Sequence, residues 1–315
     1  MQRKRNIYLL IVLVFLILVS SSLYIFDGSE VKVDIDRNLF KPAESEKIDQ
    51  VTIQSPSQNI ELKFDNNHWK VNNTWEADSR MIKVLFATLT QAEPKRPVAA
   101  TLRDSIKLLL EKTGTRISLS EGGQKIQEFI TGGNAAKTET WFLKEGDSQP
   151  YIMTIPGYRV YVGGILELDE NGWRNKRVFD FYWQNFKSLT STYPKDPKQG
   201  FEIERKSRYF GIKDVANADT TKVNDYLDAV SLLFASKFLS SGQKRVDSLM
   251  TTVPAVKIEV RDIANRSFTL ELFTPGKQDN EVYGRMADGQ ILTLEKSKVA
   301  EIVRRKDYFL INKGN

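Results

Sequence analysis

Residues 7 to 26, IYLLIVLVFLILVSSSLYIF, form a run of twenty positions without a charge, whereas the rest of the chain mixes apolar and polar residues in short segments. A helix of that length rises ~30 Å, the thickness of a bilayer's hydrocarbon core, so the run predicts a transmembrane helix. Arg3, Lys4 and Arg5 precede it, and Asp27 and Glu30 follow. This bias places residues 1–6 in the cytoplasm and everything after the helix outside a bacterial inner membrane. A cleaved signal peptide competes with that reading, because Ser20, Ser21 and Ser22 are small. The apolar run resumes at Leu23, Tyr24, Ile25 and Phe26, which favours an uncleaved anchor. Residues 27–47 are polar, show no period and read as a linker, with regular structure starting near Ile48.

Beyond the linker, one internal offset of 141 residues aligns several segments. Leu62 falls on Ile203, Trp69 on Phe210, Val71 on Ile212 and Ala77-Asp78 on Ala218-Asp219. Ile82, Leu85, Phe86 and Leu89 fall on Val223, Tyr226, Leu227 and Val230. The chain therefore reads as two tandem units, 48–180 and 187–313. In the first, VTIQS, IELKF and WKV alternate as strands do, with Asp65-Asn66-Asn67 as a hairpin turn. Asp78 takes the N-cap position of a helix over SRMIKVLFATLTQ, which buries Ile82, Leu85, Phe86 and Leu89. A second helix, LRDSIKLLLEKT, is expected to bury Ile106, Leu109 and Leu110 and to end at a left-handed Gly114. Further strands follow. The second unit repeats the plan, with Asp219 capping a long helix TTKVNDYLDAVSLLFASKF and KSKVAEIVRRK as a last helix. Strand runs mixed with helix pairs predict an α+β fold: an N-terminal transmembrane helix, then two duplicated α+β units with mainly antiparallel sheets.

Composition narrows the chemistry. There are 315 residues, no Cys and one His, which excludes disulfides, thiolate metal sites and any multi-His metal site. A net charge of +6 falls to +3 once Arg3, Lys4 and Arg5 are set aside, too small an excess for a nucleic-acid surface. His68 lies beside the DNN turn, where an exposed side chain is expected rather than a triad member. The run Glu167-Leu168-Asp169-Glu170-Asn171-Gly172 has oxygen ligands but lacks EF-hand spacing, and reads as a solvated acidic loop. Gly122-Gly123, Gly132-Gly133 and Gly163-Gly164 fit no phosphate-binding pattern and are assigned to turns. Arg304, Arg305 and Lys306 close the last helix, where cations suit the dipole. Aromatic residues and cations concentrate in Gly172–Trp183. Trp173, Arg174, Arg177 and Trp183 are the candidate surface for a partner or ligand, with inter-unit packing as the competing role.

The Trp69 hairpin followed by Ala77-Asp78 and a helix, the stretch TGTRISL, the string Pro150-Tyr151-Ile152-Met153-Thr154-Ile155-Pro156-Gly157-Tyr158, and Trp173-Arg174 after a short acidic loop form an ordered set. In that order they resemble the DUF4340 family, closest to its Bacteroidota-type members. The resemblance implies a domain of unknown function behind a membrane helix, associated with ABC-type transport or gliding components, and carries over no catalytic residue. The expectation is thus a non-enzymatic, single-pass inner-membrane protein whose periplasmic domain is an accessory or scaffold of an envelope machine. Membrane lipid through residues 7–26 and ABC-type transporter components are its expected partners; no nucleic acid, cofactor or metal is expected. The alternative is a periplasmic glycan- or solute-binding module using the cleft between the units.

Overall fold

A computed structural model of the chain describes residues 12–17, 20, 21, 35–206, 209–239, 246, 248, 251–275 and 279–311. Its strands lie in two sheets of order β4-β3-β2-β1-β6-β7-β8-β9-β5 and β12-β11-β10-β14-β15-β16-β17-β13. In the first sheet these are β1 (Gln50–Gln54), β2 (Asn59–Asp65), β3 (His68–Val71), β4 (Trp75–Glu76), β5 (Glu93–Pro97), β6 (Thr115–Glu121), β7 (Gln124–Gly133), β8 (Thr140–Lys144) and β9 (Tyr151–Thr154). In the second they are β10 (Phe186–Thr192), β11 (Phe201–Arg205), β12 (Phe210–Ile212), β13 (Lys237–Leu239), β14 (Val256–Asp262), β15 (Ser267–Leu272), β16 (Glu281–Met286) and β17 (Ile291–Glu295). Helices within the folded part are α1 (Ser79–Gln91), α2 (Ala100–Thr113), the single turn α3 (Glu170–Trp173), α4 (Thr220–Ser231) and α5 (Lys296–Ile302), and positions 12–17, 20, 21, 246 and 248 are also helical.

The expected α+β organisation behind a transmembrane helix is corrected here, because the chain is mostly antiparallel sheet with few helices. Among the described residues no helix is long and apolar enough to cross a membrane. Most of residues 7–26 lie outside the described residues; positions 12–17 are helical. The helical share shrinks for a physical reason. Lys237 and Phe238, expected at the end of a long helix, instead belong to Lys237–Leu239, which pairs with Ile291–Thr293 of β17, satisfying its backbone and burying Phe238. Glu93–Pro97 pair with β9 at the outer edge of the sheet, where two prolines cost no internal ladder bond.

By compactness the chain divides into two units. One comprises Met1–Ala43, Thr88–Gly114 and Phe129–Gly163. Its core packs Val98, Leu110, Ile130, Trp141, Leu143 and Ile152. Phe40, assigned to the linker from sequence, is buried there, its ring edge-on to Phe129, Phe142 and Tyr151 at 5.8, 5.4 and 6.0 Å. Ordered packing thus begins ahead of Ile48. Of the residues expected to be buried on α2, Leu110 is buried and Ile106 partly so, but Leu109 is 45% exposed. Gly114 ends α2 with an extended backbone, φ −68° and ψ 165°, not in the left-handed region. Glycine is needed there for space: a Cβ would lie 2.4 Å from the Leu110 carbonyl oxygen and 2.5 Å from Ile130 Cγ2.

The other unit comprises Glu44–Ala87, Thr115–Glu128 and Gly164–Asn315. Asn66 and Asn67, at φ 49° and 70°, make the two-residue hairpin between β2 and β3, since Asn tolerates the left-handed region. Gly122 and Gly123, at φ 56° and 82°, do the same between β6 and β7. Alternation sets the buried face: Val51 and Ile53 on β1, Ile117 and Leu119 on β6, and Val256, Ile258 and Val260 on β14 all point inward. The largest core joins the second sheet to α4 through Val223, Tyr226, Leu227 and Val230 and closes on Phe309. Asp219 caps α4 by accepting from the Thr221 and Lys222 amides at 3.0 and 3.2 Å. Two further boundaries differ from expectation: α4 stops at Ser231, and α5 stops at Ile302, leaving Arg304, Arg305 and Lys306 beyond it.

Candidate interaction surface

Residues 174–178 follow α3 as a strap with strand-like backbone bonds on both sides. On one side the Asp78 and Asn175 amides donate to the Trp173 and Glu76 carbonyls, each at 2.8 Å. On the other, the Val178 amide donates to Leu233 and the Ala235 amide to Lys176, at 3.0 and 2.8 Å. All these residues belong to the unit that includes Gly164–Asn315. Side chains alternate along such a strap, which sends Arg174 and Arg177 to opposite sides.

Trp173 and Arg174 point inward, so neither forms part of a surface: Trp173 is fully buried and Arg174 is 7% exposed. The Arg174 guanidinium lies between the rings of Trp75 and Phe238, 3.9 and 3.8 Å from their centroids. It hydrogen-bonds the Gln290 side chain and sits 3.6 Å from the Glu170 carboxylate. Burial pulls its pKa below the usual guanidinium value, against the opposing pull of Glu170 and Asp288. A buried cation flanked by two rings is an architectural clamp joining the β4 and β13 edges.

The acidic run serves the same clamp. Asp169 caps α3 by accepting from the Gly172 amide at 2.8 Å, and Asn72 donates to Glu170 at 2.8 Å. Asn171 accepts from the Phe238 amide at 2.7 Å. The run is thus a structural knot where a solvated loop was expected. His68 is exposed on β3, its Nδ1 3.0 Å from the Asn66 carbonyl oxygen. Among the described residues, no three His, Cys, Asp or Glu side chains converge to hold a metal ion.

Arg177 and Trp183 keep partial exposure. Trp183 donates its indole N–H to Asp228 at 2.8 Å and packs on Phe210 at 5.0 Å, so it serves mainly to seat the segment on α4 and β12. Arg177 lies 5.1 Å over the ring of exposed Tyr182 and 5.8 Å from that of Phe234. Arg80, on the first turn of α1, approaches the same Phe234 ring at 5.5 Å. Asp78 holds Arg80 in place at 2.8 Å; hydrogen bonding between them raises the Arg80 pKa and lowers that of Asp78. The result is an outward-facing arginine–aromatic patch of Arg80, Arg177, Tyr182 and Phe234. Sequence reading reached Arg177 alone of its two arginines. Arg80 and Phe234 are distant in the chain and have no local pattern that announces the meeting.

A family model described as a domain of unknown function (DUF4340) matches residues 69–251, more than half of the chain. No curated protein and no solved structure matches.

Proposed function

The chain belongs to the DUF4340 family, and from that premise we propose that it works by protein contact, as a non-catalytic accessory or scaffold of a cell-envelope machine of the ABC-type transport or gliding-related class. One observation carries the reading: the patch of Arg80, Arg177, Tyr182 and Phe234, in which two guanidinium groups share the half-buried Phe234 ring beside exposed Tyr182. Arginine and aromatic residues are the side chains most enriched at the centres of protein interfaces, because each covers a large area with little conformational freedom to lose.

The test is a photo-crosslinking residue in place of Tyr182 in the full-length chain in its native cell. Mass spectrometry of the adducts should return subunits of one membrane machine, and an Arg80→Ala/Arg177→Ala background should lose them while the protein's abundance is unchanged. Adducts as diverse as those from an exposed control position such as Ile126 would sink the proposal.

A further inference from the structure

A groove of about 310 Å³ opens between the β2–β3 hairpin, α1 and the turn Ser45–Lys47. Ser45, Glu46, Ile48, Phe64, Trp69 and Phe86 line it. Phe64 and Trp69 are cross-strand partners, and the three rings follow one another at centroid separations of 5.7 and 5.4 Å. Interplanar angles of 50° and 55° tilt the rings against one another, so the row is not a flat stack. Phe64 is 44% exposed, Ile48 is buried as the floor, and Glu46 stands exposed at the rim. Every lining residue belongs to Glu44–Ala87, within one compact unit.

The charge of this lining selects its occupant. Aromatic faces are electron-rich and attract cations, and the one formal charge among the lining residues is the carboxylate of Glu46. Among the described residues, no lysine or arginine lines the groove to repel a cation. A neutral sugar would need several convergent donors and acceptors, and the lining side chains offer the Ser45 hydroxyl, the Trp69 indole N–H and that carboxylate. We propose that the groove is a binding site for a small-molecule methylated ammonium group of the choline type, with its methyls against Phe64, Trp69 and Phe86 and its charge balanced by Glu46. The site shares no residue with the arginine–aromatic patch, so each stands or falls alone.

Three titrations of the full-length chain, followed by the indole N–H resonance of Trp69, decide the matter. The ligands are choline, its uncharged isostere 3,3-dimethylbutan-1-ol, and methyl β-glucoside. Choline is expected to move the Trp69 resonance saturably, the isostere to bind about tenfold more weakly, and the glucoside not to bind. Glu46→Gln, an exposed change that leaves the fold intact, should weaken choline several-fold. Equal affinity for choline and its isostere, preference for the glucoside, a Trp69 signal unmoved by choline, or undiminished binding by Glu46→Gln would each overturn the assignment.

Discussion

Replacing Arg174 tests whether the strap is held by a planar cation between rings or merely by a long side chain. The parent has two ring faces within 4 Å of one guanidinium, a hydrogen bond to Gln290 and a carboxylate at 3.6 Å. Arg174→Ala removes both stacking contacts, about 1 kcal/mol each at a desolvated site, and opens space between Trp75 and Phe238. Glu170 is 39% exposed, so water recovers much of the lost ion pair, and the total is about 3 kcal/mol, not the full cost of an orphaned buried charge. Arg174→Lys keeps the charge but offers a point cation where a plane is needed, and should cost about half as much. With a urea dependence of about 3 kcal/mol per molar for a protein of this size, the midpoints should fall by about 1 M for Ala and about 0.5 M for Lys. Tryptophan fluorescence reports the transition, since Trp75 and Trp173 flank the strap. Equal losses in the two variants would show that the rings do not read planarity. A midpoint unchanged by Ala would refute the clamp altogether.

Four further outcomes follow from single features. Glu128 takes hydrogen bonds from Ser118 and Lys125 at 2.7 and 3.0 Å and from Arg116. Burial alone would raise its pKa, but these donors overcome it and hold the carboxyl at about 2. Its stabilisation is therefore complete above the ordinary carboxylate range and lost as pH falls from about 4.5 towards 2; Glu128→Gln should flatten that part of the stability profile, and a parent-like acid limb would refute the assignment. Gly114→Ala should cost about 2 kcal/mol through the clash with Leu110 and Ile130, read as a lowered melting temperature. Asp219→Ala should lose about 1 kcal/mol with Asp219→Asn close to the parent, because the cap needs an acceptor and not a charge. Tyr182→Ala should leave the melting temperature unchanged, as that ring is 55% exposed, while reducing crosslinking of partners through a reporter placed at Arg80.

Local features were legible because their causes are local. The Asn66-Asn67 hairpin and the Asp219 cap follow from what those side chains do to the few backbone groups beside them, and both are present. The inward set of Ile82, Leu85 and Leu89 follows from helical periodicity and is buried on α1. Where sequence reading went astray, a distant partner had settled the conformation. Nothing in the segment around Lys237–Leu239 marks a strand apart from the free edge of β17, more than fifty residues later, that receives it. Phe40 looked like part of a tether because its three ring neighbours come from Phe129, Phe142 and Tyr151. Gly114 was assigned a left-handed cap when its role is to admit the Leu110 carbonyl.

The same physics gives the four candidate residues different places. Composition alone gives Trp173, Arg174, Arg177 and Trp183 equal claims to a surface role, and it is the extended strap that separates the two arginines. Because side chains alternate along extended backbone, Arg174 is committed to the Trp75–Phe238 sandwich while Arg177 reaches Tyr182 and Phe234 outside. A register slip of one residue would exchange those fates, placing the Trp173 indole or the Asn175 amide between the two rings and exposing the guanidinium of the clamp. The backbone bonds to Glu76 on one side and to Leu233 and Ala235 on the other hold the register. A strap so fixed has a consequence for function: the patch should be rigid before any partner arrives, because its arginine is carried on backbone already bonded at both edges. The patch would then bind with little ordering cost, and weakening the clamp at Arg174 should lower partner capture even though Arg174 touches no partner.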